Sequence, residues 1–323
     1  MGWNVLSAGV SHDGQWLVGP GALERLWSTA DPHRLPRQAV DVPPVVPDKV
    51  EVFDGPPPVE TFAGHELALP VCHGRWGEDG ALQGLLRSYG IPIVGCDVAA
   101  SAICYDKHLA RSVLAAAGLP VAAGVRVRRR DFYEEPASVT ELVRTRVGAG
   151  PWFVKPARGG SSLGIGRATS VPQLNDALME ALRWDDAALV EDAVPHREVV
   201  LGVLGARDPV ISPPGECIAV GELYTYEEKY RLGNPLFTCP AALDDRQVEH
   251  ARELAAAAFH ALGCSVFARV DLFLDERTGE FLINEVNTIP GMTATSVFPK
   301  VMKAAGYGYR DLLAELCRIA AAQ

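Results

Sequence analysis

At 323 residues the chain is long enough for two or three lobes, each with its own core. Hydrophobic residues make up 48% and charged residues 22%, a balance that excludes a disordered chain. The net charge of -10 excludes an extended basic face for nucleic acid or an anionic membrane, while leaving room for a local phosphate pocket.

Residues 1–62 are rich in proline and glycine and weakly periodic, and read as strand fragments and loops. The N-terminus has neither the basic start nor the apolar stretch of a secretion signal. No apolar run reaches the roughly 18 residues of a membrane-spanning helix. From Leu67 the pattern sharpens. LALPVC (67–72) predicts a buried strand, ALQGLLRSYG (81–90) an amphipathic helix and IPIVG (91–95) the next strand, the order of a parallel α/β layer. DKHLARSVLAAAG (106–118) predicts a second helix closed by Gly118, followed by a strand over 119–127. WFVKPA (152–157) is a strand entering the loop GGSSLGIG (159–166), and a helix over 171–183 leads to a strand over 187–194. EVVLGVLG (198–205) and CIAVGELY (217–224) predict neighbouring antiparallel strands. The longest predicted helix covers 244–262, with aspartate at its start and Gly263 past its end. FARVDLFLD (267–275) and EFLINEVN (280–287) predict a hairpin. The seven cysteines are scattered without C-x-x-C spacing, so they read as buried free thiols in a reduced, cytoplasmic protein.

Four constellations carry chemistry. Strand alternation points Glu285 and Asn287 to one side, and the hairpin can bring Asp271 beside them. Two carboxylates and an amide oxygen are the hard ligands that Mg²⁺ prefers. Arg269 shares that face and can stabilise a negative transition state. An exposed polar sheet face is the alternative. The second constellation is Lys155 followed by Gly159–Gly164, where glycines let backbone N–H groups wrap phosphate oxygens. It is not a P-loop, because the lysine precedes the glycines. The third, His73-Gly-Arg-Trp-Gly-Glu-Asp-Gly80, lies between a predicted strand and a helix, as a ligand edge or as a helix start with Asp79 as its cap. The fourth, Tyr224–Asn234, reads as a surface loop or as a lid bringing Lys229 to a phosphate.

HGRWGEDG (73–80), GCDVAASAICYDKHLA (95–110), FVKPARGGSSLG (153–164), EKYRLGN (228–234), ARVDLF (268–273) and NEVNTIPGMTATS (284–296) together resemble the D-alanine–D-alanine ligase family of the ATP-grasp superfamily. The resemblance runs over residues 67–323. It implies an α/β fold of α+β lobes, the ATP-grasp fold, with a parallel α/β N-terminal lobe over 1–100, a central lobe over 101–192 and a C-terminal lobe over 193–323. It implies ATP and two Mg²⁺ ions, with Mn²⁺ as an alternative, D-alanine and a second D-amino acid as substrates, and a homodimer. Lys107 and Lys155 resemble the two ATP-phosphate lysines, and Glu191 and Glu198 the adenine- and ribose-side carboxylates. Gly160, Ser161 and Ser162 resemble the loop over the phosphates, Ser161 with Tyr230 its lock to the lid, and Lys229 the lid lysine. Asp271, Glu285 and Asn287 resemble the metal ligands, Arg269 and Gly291 the donors to the tetrahedral intermediate, and His73 and Ser296 substrate-binding positions.

The implied reaction is phosphoryl transfer to the first D-amino acid, giving an acyl phosphate that the second amine attacks. The Lys229–Tyr230 pair accompanies amine acceptors rather than D-lactate, leaving D-Ala and D-Ser both open. A ligase of secondary metabolism with another carboxylate is a further reading. The family's opening G-G-x-S-x-E-H-x-V-S segment has no counterpart, and AGVSHDGQW (8–16) resembles its second strand. The N-terminal lobe is therefore expected to lack its first strand and helix, either because the functional protein is longer or because this is a truncated, inactive ATP-binding relative.

Overall fold

The computed structural model describes residues 3–11, 14–22, 25–26, 50–159, 163–218 and 236–323. The chain divides into two compact units, residues 1–68 and 69–323.

In the first unit β1 (Ala8–Val10), β2 (Trp16–Val18) and β3 (Glu51–Phe53) form an antiparallel sheet in that order. All three residues of β2 are buried, and Trp16 meets the Phe62 ring edge-on at 6.5 Å.

The second unit opens with three helices, α1 (Ala81–Ser88), α2 (Val98–Tyr105) and α3 (Lys107–Ala116). Asp106 separates the last two. Its side chain accepts from the His108 and Leu109 amides at 3.1 Å each, capping α3. Gly118, at φ +75°, supplies the left-handed turn that ends this segment.

β4 (Gly124–Arg128) then leads to α4 (Arg129–Glu134) and α5 (Pro136–Arg146), followed by β5 (Trp152–Pro156), β6 (Gly166–Ala168), α6 (Val171–Trp184) and β7 (Ala187–Asp192). The four strands pair antiparallel in the order β4-β7-β5-β6. Alternation separates the two faces of this sheet. Val127, Trp152, Val154 and Val190 pack into a core with Leu174 and Leu178 of α6. Gly124, Arg126, Lys155 and Glu191 occupy the other face.

β8 (His196–Gly205), β9 (Val210–Ile211), β10 (Gly215–Ile218), β11 (Leu236–Thr238), β12 (Val266–Asp275) and β13 (Phe281–Asn287) make the second sheet, ordered β11-β10-β8-β12-β13 with β9 beside β8. α7 (Asp245–Ala261) starts at a capping box of Asp244 and Gln247 and buries Phe259 among Leu201, Val203 and Val270. Truncating Phe259 to alanine would cost about 3–5 kcal/mol. α8 (Val297–Ala304) covers part of the opposite face, where a side chain at Gly202 would strike Met302 at 2.7 Å. α9 (Tyr309–Ala321) closes the chain. No described helix is long and apolar enough to cross a membrane.

The helices expected over 106–118, 171–183 and 244–262 form within a residue or two of those bounds, as does the hairpin. The expected strands over 67–72 and 91–95 do not form: each leaves one bridging residue, Ala68 and Ile93. Pro70 and Pro92 fall inside these segments, and each removes a ladder donor from a run only five or six residues long. The strand expected over 119–127 is regular only from Gly124, with an isolated bridge from Val121 to Ile283 before it. The 217–224 strand pairs with β8 as expected at Cys217, and beyond Ile218, which pairs with β11, it leaves the described residues. All seven cysteines are free, and Cys96, Cys104, Cys217 and Cys264 are buried.

Candidate active site

The first cluster lies where the four-stranded sheet meets α3. Lys155 points inward from β5 and reaches Glu191 of β7 at 2.5 Å. Arg111, one turn beyond Lys107, pairs with the other carboxylate oxygen of Glu191 and donates to the Ala122 carbonyl at 2.9 Å. All three charged side chains are about nine-tenths buried or more. Both oxygens of Glu191 are thus held by cations. Lys107 closes the arrangement, its ammonium donating to the Gly159 carbonyl at 2.5 Å and its amide to Ala157 at 2.9 Å. Burial holds the Lys107 ammonium below the usual lysine range, and Lys155 adds to this against the pull of Glu285 and Glu191.

Burial alone would raise the Glu191 carboxyl, but Lys155 and Arg111 outweigh it and hold the group below its ordinary 4.5. The stabilisation tied to this shift is complete above that value and is lost as pH falls through the lower folded value. The urea midpoint of the protein is therefore expected to fall below about pH 4.5, and to fall less steeply in Glu191→Gln. Parallel acid limbs in the two proteins would contradict this assignment.

The second cluster lies on β12 and β13. Pairing sets Arg269 opposite Asn287 and Asp271 opposite Glu285, so all four share one face. Arg269 holds Asp271 by a two-pronged pair, Nε to Oδ1 at 2.7 Å and Nη2 to Oδ2 at 2.6 Å, and lies 3.9 Å from Glu285. Burial pushes the Asp271 carboxyl up to about 6 against the opposing pull of Arg269. Glu198 of β8 belongs to the same face, opposite Phe273 and 3.9 Å from His196. The ladder slips after Asp271, leaving Asn284 as an extra residue. That bulge turns the Asn284 amide oxygen to Lys155, 3.4 Å away, and so joins the two clusters.

The turn over 73–80 reaches the same place. Glu78 accepts from the Gly74 amide at 2.5 Å and lies 3.7 Å from His73, whose side chain is half exposed. With its amide turned to satisfy both neighbours, Asn287 donates to Glu78 at 3.1 Å and accepts from Arg269 at 3.2 Å. Asp79 is not the cap that the sequence suggests: Gly80, at φ +92°, holds the N-cap position of α1, and Asp79 just before it accepts from the Trp76 and Ala81 amides at 3.0 Å each. Gly291 and Ser296 sit together before α8, where a Cβ on Gly291 would lie 2.8 Å from Ser296 Oγ. Thr293 ties that turn through its hydroxyl at 2.7 Å from Ser296 Oγ.

Lys107, Lys155, Glu191, Glu198, Arg269, Asp271, Glu285 and Asn287 therefore fall on two joined clusters, with His73 reached through Glu78. Gly160, Ser161, Ser162, Lys229 and Tyr230 lie outside the described residues. Sequence reasoning missed Arg111, Asn284 and the contact of Glu78 with Asn287. Arg111 left one signal: it stands with Ala110 and Leu114 on the buried face of α3, where a cation needs a buried partner.

Asp271, Glu285 and Asn287 offer hard oxygen donors from adjacent strands, a set that would suit a divalent ion of the magnesium type. Lys107 and Lys155 present cations beside them. Fold and site together define an enzyme of the ATP-grasp class, an ATP-dependent carboxylate–amine ligase that works with a divalent metal. The family model described as D-ala D-ala ligase N-terminus matches residues 2–96, and the one described as D-ala D-ala ligase C-terminus matches residues 113–318. The chain belongs to the D-alanine–D-alanine ligase family. It is 37% identical over 319 residues to a D-alanine–D-alanine ligase of Chlorobium luteolum, spanning 98% of this chain and 88% of that protein. Among solved structures it resembles the D-alanine–D-alanine ligase from Coxiella burnetii, with a TM-score of 0.69 and 33% identity over 79% of this chain and 68% of that one. It also resembles the VanG D-Ala:D-Ser ligase from Enterococcus faecalis, with a TM-score of 0.71 and 36% identity over 79% and 73% of the two chains.

Proposed function

We propose that this chain makes D-alanyl-D-alanine for peptidoglycan synthesis in the cytoplasm, by way of a D-alanyl phosphate, as a homodimer built from lobes over 1–100, 101–192 and 193–323. The observation that carries this reading is the joined pair of clusters: buried Lys155 and half-buried Lys107 beside a face bearing Arg269, Asp271, Glu285 and Asn287.

In this reading Lys107 and Lys155 hold the nucleotide phosphates, with Gly160, Ser161 and Ser162 over them. Glu198 serves the ribose side. Glu191 keeps the adenine side in shape through Lys155 and Arg111. Asp271, Glu285 and Asn287 hold two Mg²⁺ ions, or Mn²⁺ in their place, which when bound neutralise phosphate charge. Phosphoryl transfer needs positioning and charge neutralisation more than covalent help, and rigid strands supply the first. Arg269 and the Gly291 amide donate to the oxyanion formed when the second amine attacks. His73 and Ser296 orient the substrates, and Lys229 and Tyr230, with Ser161, close the site against water.

A D-Ala–D-Ser ligase is the second reading, favoured by the likeness to VanG. Both are tested by one assay of phosphate release from ATP and Mg²⁺ with D-alanine, D-serine, D-lactate and L-alanine. Release that requires D-alanine and rises no further with added D-serine supports the first reading, and a D-serine-containing product supports the second. Release indifferent to D-alanine would overturn both.

A further inference from the structure

The chain carries a net charge of -10, yet four arginines fall within the five residues 126–130. They line one open surface cavity of about 510 Å³ together with Tyr133, Asp186 and Ala187. Arg126 and Arg128 alternate outward on β4, while Arg129 and Arg130 open α4. None of Lys107, Arg111, Lys155 or Glu191 lines this cavity.

The four cations are not equally engaged. Arg129 donates to the Leu182 carbonyl at 2.6 Å and the Asp185 carbonyl at 3.1 Å, and faces Asp186 at 3.4 Å, so its role is structural. Arg130 forms an exposed pair with Glu134 along the helix at 2.9 Å, which constrains it little. Arg126 approaches Asp106 only at 3.7 Å, and its Nε is buried with no hydrogen-bond partner among the described residues. Arg128 is exposed, with no ion pair or side-chain hydrogen bond among the described residues. The acids of this wall are committed to Arg129 and Arg130, which leaves the charge of Arg128 and one nitrogen of Arg126 unanswered. Planar guanidinium forks match the paired oxygens of phosphate groups, and Arg126 Nε has no acceptor among the described residues. Tyr133, 62% exposed, offers a flat ring at the rim.

We propose that this cavity is a second anion site, distinct from the nucleotide cleft, in which Arg126 and Arg128 bind a diphosphate group. That group comes either from inorganic pyrophosphate or from the tail of a nucleoside diphosphate whose base lies on Tyr133. The cleft is first filled with Mg²⁺ and a non-hydrolysable ATP analogue, with Mg²⁺ in excess, and pyrophosphate or cytidine diphosphate is then titrated calorimetrically. One further site per chain is expected. Its affinity falls about tenfold in Arg126→Gln/Arg128→Gln and weakens with added salt. Tighter binding of cytidine diphosphate that is lost in Tyr133→Ala assigns the nucleotide source, and equal affinities assign pyrophosphate. Arg128→Gln alone guards against misfolding, since the side chain is exposed and unpaired and the melting profile is expected to stay unchanged. No binding once the cleft is filled, or wild-type affinity in a folded Arg128→Gln protein, would overturn the proposal.

Discussion

Arg269→Met is expected to lower turnover by about a hundredfold to a thousandfold and to destabilise the fold by about 3–5 kcal/mol. The two effects share one cause. Arg269 and Asp271 have side chains only 19% and 14% exposed, and each satisfies the other through two hydrogen bonds. Removing the guanidinium leaves a carboxylate facing Glu285 and Glu198 with no cation beside it, in surroundings that already push its pKa up to about 6. The carboxylate then takes a proton or unfolds with its strand, and either outcome removes a donor from the metal set proposed above. Arg269→Lys keeps the charge but loses the fork, so it should recover much of the stability and little of the turnover. Urea unfolding and steady-state kinetics on the two variants check this. Equal turnover in Arg269→Lys and the parent would show that the guanidinium geometry is not used in the reaction.

Much of this face is legible from the residues alone, and the reason is periodicity. Glu285 and Asn287 are two apart on a strand, so they must share a side, and Asp271 is matched to them by the length of the hairpin. What alternation cannot reveal is the slip after Asp271, because a bulge is invisible to a period of two. The slip turns Asn284 toward Lys155, although simple alternation assigns it to the buried side. Contacts made across long loops are hidden for a different reason. Glu78 meets Asn287 from more than 200 positions away, and its motif reads equally well as a helix start. The two short apolar runs at 67–72 and 91–95 show the converse failure. Hydrophobicity marks burial, but a proline in each run prevents the ladder that burial alone suggests.

The Lys155–Glu191–Arg111 group supplies the second large effect, because it is charged, buried and closed on itself. Arg111→Met is expected to destabilise the protein by about 2 kcal/mol, less than a fully orphaned charge, because Lys155 remains on Glu191. It should also raise the KM for ATP more than it lowers kcat, since Arg111 acts through Glu191 and touches no reacting atom. Arg111→Lys should restore the charge but not the hydrogen bond to Ala122. The structure adds an independent check at Gly124, where a Cβ would lie 2.5 Å from the Arg111 guanidinium. Gly124→Ala should therefore reproduce part of the Arg111→Met phenotype without altering any charge. A cycle through Glu191→Gln decides the matter. If the pair is coupled, the double variant will be more stable than the sum of the single losses, because Glu191→Gln alone leaves both Lys155 and Arg111 without their carboxylate, whereas the double variant leaves only Lys155 so. Strict additivity would mean that Glu191 takes its stability from Lys155 alone, and that Arg111 serves only to pin α3 to the Ala122 carbonyl.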